Sequence, residues 1–255
     1  SFVNGGLLTL NGDIVSDGPA AQTGAGLVSI TSPRSISTTA DAVSFATAVT
    51  LANTTGTGLL TINTTSGNAA GNNITFSGKL DGTTAGAEPV TLNAGTAGNI
   101  LFTGAVGTTA AANRLGAITI TNANNVTESA GITAASLVQS AGQGTTLLTG
   151  AVNTNAAAGV NLTGNIQTVN NTITTTTGGT VTFANAGLLT LNGDITSDGA
   201  VAQTGLGLVT IDTDRTITTT AKAVSFAKNV TLANTSGAGL LTIDTTSGSA
   251  LGSNI

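Results

Sequence analysis

The sequence GLLTLNGDIVSDG occupies residues 6–18, and GLLTLNGDITSDG occupies residues 187–199. These stretches lie 181 positions apart and differ at a single residue. Sliding the whole chain along itself by 181 positions aligns residues 1–74 with residues 182–255 without a gap, and 52 of the 74 pairs are identical. Identity on this scale indicates a tandem repeat, which has to be recognised before individual elements are assigned.

The two copies differ mainly in small polar and charged residues. Lys222 stands where the first copy has Asp41, and Ala200 and Asp214 replace Pro19 and Pro33. Because proline lacks an N–H group and is a poor member of a paired strand, we expect both proline positions to be loop corners. The large apolar residues are retained, including Leu8, Leu10, Ile14, Val28, Ile30, Phe45, Val49, Leu60 and Ile62. This pattern predicts a fixed core beneath a variable, solvated surface.

A shorter pattern lies inside the repeat, in which apolar residues alternate with Thr, Ser or Asn and a glycine follows. It occurs at Leu8/Leu10/Gly12/Ile14, Ile74/Phe76/Gly78/Leu80, Ile100/Phe102/Gly104/Val106 and Val160/Leu162/Gly164/Ile166. Alternation with a period of two is typical of β-strands, and threonine suits a solvated strand face. Helix signals are limited to alanine-rich patches at residues 110–112 and 156–158. The glycine is expected to relax a bend or to admit close backbone approach.

These features predict an all-β fold, a parallel β-helix (β-solenoid) built from irregular coils of about 20 residues. Residues 1–255 are expected to form one continuous solenoid segment, and 181 residues would make about nine coils. Asn and Thr in register are expected to form ladders between coils. Because the repeat reaches both ends of the sequence, the native protein is expected to be longer than this chain.

The composition excludes several classes of chemistry. The 255 residues include no Cys, His, Trp, Tyr or Met, and only 7 % are charged. A zinc site built on Cys or His therefore has no ligands, and a triad that needs histidine or a thiol nucleophile is impossible. The chain has a net charge of −5 and its six cations are scattered, so we do not expect nucleic acid as a partner. No apolar run is long enough for a membrane helix. Since the residue types named above are missing, we expect neither enzymatic activity nor a cofactor.

The candidate metal ligands are weak. Asp13 and Asp17 lie in NGDIVSDG, and Asp194 and Asp198 repeat them in NGDITSDG. Paired carboxylates beside glycine could bind Ca²⁺, but the alternative is a solvated turn in which Asp accepts hydrogen bonds from backbone amides. The same pairs meet the minimal requirement of a glycosidase, yet no Trp or Tyr is present to stack on a sugar.

Two further surface features carry alternatives. The runs Thr172–Thr174 and Thr216–Thr218 could build a flat hydroxyl face, as in ice-binding solenoids, or simply reflect strand propensity. Asn-x-Ser/Thr sequences, which are potential glycosylation sites, occur at Asn53, Asn73, Asn125, Asn161 and Asn229. In a chain of this composition such sequences arise by chance.

The runs at Ala117–Leu137, Thr172–Gly187 and Gly187–Gly199 resemble giant bacterial surface proteins, the filamentous-haemagglutinin-like adhesins and autotransporter passenger domains. The resemblance is one of composition and repeat style. It implies a right-handed parallel β-helix, export to the bacterial cell surface, and a structural role in an extracellular fibre, sheath or adhesin stalk. Expected partners are further copies, end to end or side by side, or flanking repeats of the same chain. The alternative is a module that binds glycan, host cell or ice along a threonine-rich face.

Overall fold

The computed structural model describes residues 1–53, 59–108, 111–212, 214–233, 240–248 and 251–255. These residues form short parallel strands with one 3₁₀ turn at Ala111–Asn113. The strands are β1 Leu8–Leu10, β2 Ile14–Ser16, β3 Ala20–Gln22, β4 Val28–Ser32, β5 Arg34–Thr38, β6 Val43–Phe45, β7 Val49–Asn53, β8 Leu60–Asn63, β9 Ile74–Phe76, β10 Leu80–Asp81, β11 Val90–Asn93, β12 Ile100–Phe102, β13 Leu115–Asn122, β14 Val126–Glu128, β15 Ile132–Gln139, β16 Thr145–Leu148, β17 Val152–Thr154, β18 Val160–Gly164, β19 Ile166–Val169, β20 Ile173–Thr175, β21 Val181–Asn185, β22 Leu189–Leu191, β23 Ile195–Ser197, β24 Val201–Gln203, β25 Val209–Asp212, β26 Arg215–Thr219, β27 Val224–Phe226, β28 Val230–Ala233 and β29 Leu241–Asp244.

The strands stack in three columns, which we call faces 1, 2 and 3 in the order in which the chain visits them. Face 1 contains β1, β4, β7, β10, the start of β15, β17, β20, β23, β26 and β29, and Val106 bridges β10 to β15. Face 2 contains β2, β5, β8, β11, β13, the end of β15, β18, β21, β24 and β27. Face 3 is a ten-stranded sheet that runs from β3 to β28. The predicted all-β parallel solenoid is therefore confirmed. The right-handed sense of the solenoid stays a prediction.

The core is a narrow apolar column between the three faces. Of the retained apolar residues, Val28, Ile30, Phe45, Val49, Leu60 and Ile62 are buried. Phe76 lies between Phe45 and Phe102 on face 3, with ring centroids 5.3 Å and 5.5 Å away and nearly parallel planes. Alternate residues of each strand point outwards, as a period of two requires. Each coil contributes few large side chains, so stability depends on stacking neighbours.

Coil length varies more than the sequence suggests. On face 1, Leu8 pairs with Val28 and Val49 pairs with Leu80, so the second of these coils is about half as long again as the first. The extra residues lie in loops between strands, which leave the stacked strands in place. Seven coil steps lead from Leu8 to Ile173, and Leu189, the equivalent of Leu8, follows within the next coil, so the prediction of about nine coils in each repeat was too high.

Two local predictions concern corners and helical turns. Pro19 and Pro33 lie outside strands, between β2 and β3 and between β4 and β5, as predicted. Of the alanine-rich patch at residues 110–112, Ala110 lies outside the described residues and the rest belongs to the 3₁₀ turn. The patch at residues 156–158 forms no helix.

Glycine at the end of the short pattern admits close approach between coils. A Cβ atom on Gly104 would lie 2.5 Å from the backbone carbon of Gly78, one coil below. A Cβ on Gly78 would in turn lie 2.4 Å from the backbone of Thr47 and Ala48. At this corner between faces 3 and 1, any larger residue would force the coils apart.

Candidate functional site

Asp13 and Asp194 accept hydrogen bonds from the coil that follows each of them. The Asp13 Oδ1 atom accepts the N–H of Ser35 at 2.8 Å, and Asp194 Oδ1 accepts the N–H of Thr216 at 2.9 Å. Asp194 Oδ1 also lies 3.9 Å from the guanidinium of Arg215. Both carboxylates thus bind backbone amides at corners, which is the alternative that the sequence left open.

Asp198 faces the preceding coil. Its Oδ2 atom accepts the N–H of Gly178 at 2.7 Å. This bond, followed by one from the Thr220 hydroxyl, holds the pKa of Asp198 below its usual range. Asp17, its counterpart, lies in the first coil. Among the described residues no group of three or more His, Cys, Asp or Glu side chains could hold a metal ion. Calcium binding by the four aspartates stays a prediction.

Two buried glutamates were missed by the sequence reasoning. Glu128 is fully buried at the end of β14, and its Oε1 atom accepts the N–H groups of Ala130 and Gly131. Its Oε2 atom accepts the N–H of Gly150, one coil above, at 2.9 Å. The alternation that places Val126 inwards also places Glu128 inwards, and this signal could have revealed it.

Glu88 is equally buried, but its two oxygens have different surroundings. Oε1 accepts the N–H groups of Thr83 and Thr84 at 3.2 and 2.9 Å. Within the described residues Oε2 has no hydrogen-bond partner. Glu88 lies in the loop before β11, where no strand periodicity marks it. Both glutamates hold backbone amides of loops and corners, which is a structural role.

Arg114 connects three successive coils. Its Nη1 atom donates to the carbonyl oxygens of Ala134 and Asn153 at 2.7 and 3.2 Å, and Nη2 donates to the Asn153 side chain at 2.6 Å. Burial lowers the pKa of Arg114. The residue follows the 3₁₀ turn, so this loop is fixed to the coils above it by charged hydrogen bonds.

The predicted threonine runs lie together on face 1. Thr174, Thr196 and Thr218 occupy successive strands in register, so their outward side chains form a row along the axis. In the neighbouring row, Asp194 lies between Thr172 and Thr216, because the strands of these residues pair in the same register. The hydroxyl surface on face 1 is therefore interrupted by the carboxylate of Asp194. A second threonine row, Thr168–Thr190–Thr210–Thr231, runs along face 3.

Two potential glycosylation sites take part in an asparagine ladder at the edge between faces 2 and 3. Asn73 Oδ1 accepts the backbone and side-chain N–H groups of Asn99 at 2.9 and 3.0 Å. Asn99 Oδ1 accepts the same groups of Asn125 at 3.1 and 2.8 Å, and Asn125 Oδ1 accepts the N–H of Thr145. The predicted ladder is thus present. Asn161 and Asn229 are exposed, and the side chain of Asn53 lies outside the described residues.

Leucines and an isoleucine are exposed at two edges. Ile166, Leu188 and Leu208 continue the row of the asparagine ladder, with exposed fractions of 38 %, 42 % and 59 %. The first-copy equivalents of Leu188 and Leu208, which are Leu7 and Leu27, are also exposed, but at the edge between faces 3 and 1. Sequence reasoning grouped Ile166 with the apolar pattern of the core strands, and the structure places it at the surface.

A shallow groove follows the edge between faces 3 and 1. Its described lining includes Gly131, Thr133, Asn153, Thr172 and Thr174, and none of the lining residues carries a titratable side chain. A search of the described residues finds no helix with the length and apolarity needed to cross a bilayer.

Comparison of the chain with protein-family models, curated proteins and solved structures finds no match. The structure is consistent with a β-helix protein. The finer likeness to filamentous-haemagglutinin-like adhesins rests on composition and repeat style.

Proposed function

We propose that this chain is a structural segment of an exported bacterial surface fibre, sheath or adhesin stalk, and that it works by stacking coil upon coil. In this proposal it has no enzymatic activity and no cofactor, and its partners are further solenoid coils. These belong to a second copy of the chain or to flanking repeats of a longer one.

The observation that supports the proposal is the difference in burial between equivalent residues of the two copies. Leu51 is fully buried, because the next coils of the first copy cover it, whereas its equivalent Leu232 in β28 is 49 % exposed. Ile62 is likewise fully buried beneath Leu92, while its equivalent Ile243 in β29 is half-buried. Within the described residues no strand follows β28 or β29 in its column, so the last coil presents partly exposed apolar residues that another coil of the same kind fits.

Sedimentation velocity over a range of concentrations tests this proposal. The chain is expected to form linear oligomers, and Ile243→Lys is expected to abolish them, because a charge on the inward row opposes burial beneath another coil. The matched control is Thr242→Lys, which puts the same charge on the outward row of the same strand and is expected to associate like the parent. A parent that stays monomeric at every concentration, or an Ile243→Lys variant that assembles normally, would contradict the proposal.

Direct binding along a solenoid face is the second candidate, and the row Thr174–Thr196–Thr218 favours it. Hydroxyls along this row, at the strand spacing of roughly 4.8 Å, form a regular line beside the row that Asp194 interrupts, and glycan, cell or ice could contact it. Thermal hysteresis of the chain and of Thr196→Asp tests the ice form of this candidate. If the parent shows hysteresis and the variant loses it, binding along face 1 is supported; absence of hysteresis in the parent excludes it.

A further inference from the structure

The two copies of the repeat have the same local structure. Gln22 donates through Nε2 to the Asn4 side chain at 2.7 Å, and Gln203 donates to the Asn185 side chain at the same distance. The hydrogen bonds of Asp13 and Asp194 to the following coil also agree, at 2.8 and 2.9 Å. Strands β1, β2 and β3 begin and end at positions equivalent to those of β22, β23 and β24. The second copy therefore keeps the local fold of the first.

The faces on which the equivalent residues lie are nevertheless different. Leu8 pairs with Val28 on face 1, whereas its equivalent Leu189 pairs with Val209 on face 3. Every equivalent strand is displaced in the same way: β2 lies on face 2 and β23 on face 1, and β3 lies on face 3 and β24 on face 2. The displacement is thus a property of the whole copy.

The number of coils between the copies explains the displacement. Along face 1, seven coil steps lead from Leu8 to Ile173, through the rows Leu8, Val28, Val49, Leu80, Val106, Ile132, Val152 and Ile173. Two further faces, β21 and then β22, bring the chain to Leu189. We infer that the repeat advances by seven and two-thirds coils, so that successive copies present the same surface on successive faces of the solenoid.

No physical rule opposes a fractional advance, because the three faces are interchangeable for the core. Leu189 is buried between Gln167 and Val209 on face 3 as completely as Val28 is buried between Leu8 and Val49 on face 1. Each face takes inward side chains that are mostly apolar and repeat at the strand spacing, and the repeat supplies them on any face.

The consequence concerns how partners meet the surface. The exposed leucine edge points along the boundary of faces 3 and 1 in the first copy, and along the boundary of faces 2 and 3 in the second. In an array, three copies would together make a whole number of coils and would present this edge, and every other repeated feature, in three directions. Such a fibre offers equivalent contacts all around its axis rather than along one stripe.

Distances between nitroxide labels on paired cysteines test the inference within one chain. The chain has no native cysteine, so labelling is specific. Ser44 and Thr190 lie in one outward row of face 3, six coil steps apart, through Thr75, Leu101, Thr127, Leu147 and Thr168. At roughly 4.8 Å per step the Ser44→Cys/Thr190→Cys pair is expected at about 29 Å. Ser29 lies on face 1, so the Ser29→Cys/Thr190→Cys pair is expected to be longer, because outward labels on different faces are also separated across the solenoid.

The order of the two distances decides the matter. If the repeat advanced by eight whole coils, Thr190 would lie on face 1, seven steps from Ser29 at about 34 Å, and the Ser44 pair, about six and a third steps apart axially but on different faces, would be as long or longer. A Ser44 pair equal to or longer than the Ser29 pair overturns the inference. Thr9→Cys/Thr196→Cys, eight steps apart on face 1, serves as a ruler of about 38 Å. Dilution with unlabelled protein keeps the distances intramolecular, so the result is independent of whether chains assemble.

Discussion

Replacing one phenylalanine in each copy separates the contribution of coil stacking from that of local sequence. Phe45 and Phe226 occupy the same place in the segment AVSFA, but Phe45 is buried and stacks on Phe76 at 5.3 Å, whereas Phe226 is half-buried. Removing a buried phenylalanine side chain costs about 3–5 kcal/mol, and a stacked ring places Phe45→Ala towards the upper end. For Phe226→Ala we expect roughly half of that loss, because part of the ring is already in water.

Urea denaturation followed by far-UV circular dichroism measures both losses. The end coils of a stacked array open independently of its middle, so Phe226→Ala is expected to act chiefly on the early part of the transition. Ser44→Ala, on the outward side of the same strand as Phe45, is the control and should change stability by less than about 0.5 kcal/mol. Equal losses for the two phenylalanine variants would refute the reasoning, since sequence context rather than coverage by the next coil would then set the stability.

The remaining predictions concern buried and charged groups. Glu128→Gln should lower the free energy of unfolding, measured by urea denaturation, by about 1–3 kcal/mol, because an amide nitrogen facing a backbone N–H leaves that donor unsatisfied. Glu88→Gln should lower it by less, since the oxygen that is replaced accepts no hydrogen bond within the described residues. Arg114→Lys should lower the thermal midpoint, because a single ammonium group cannot reproduce the forked contacts to two coils; a midpoint equal to that of the parent would argue against the contacts. The lowered pKa of Asp198 means that its ionised form stabilises the fold above the usual carboxyl pKa, and that this contribution is lost as the pH falls through the lowered value. The difference in stability between the parent and Asp198→Asn should therefore shrink below about pH 4. A difference that persists there would contradict the assignment. Chelation by EDTA tests the predicted calcium ligands, and the expected result is an unchanged thermal midpoint; a large drop would revive them.

The alternation of apolar and polar residues was enough to predict the strands and most of the core. Residues such as Ile30 and Ile62 are retained in both copies because each is enclosed by its own coil and by those that stack on it. The same alternation also predicts that Glu128 points inwards. This was missed because charged residues were considered only as surface groups. It could not show that Ile166 begins an exposed row, since apolar character alone does not distinguish a core strand from an edge.

Coil length and the face of each strand could not be read from the sequence. The number of residues in a coil depends on loops such as the one that holds Glu88, and a loop can grow without disturbing the stacked strands. Because all three faces accept aliphatic rows, nothing local tells Leu8 from Leu189, although they lie on different faces. The two-thirds offset between copies emerges only when the coils are counted along the whole chain.

Electron microscopy of the purified chain at rising concentration tests the proposed structural role most directly. Ten coils at roughly 4.8 Å give a segment about 48 Å long, so stacking predicts thin, unbranched rods whose lengths increase in steps of about that size. The Ile243→Lys variant should give single short segments under the same conditions. Isolated segments from the parent at every concentration, or round and irregular aggregates in place of rods, would contradict the view that this chain functions by coil stacking.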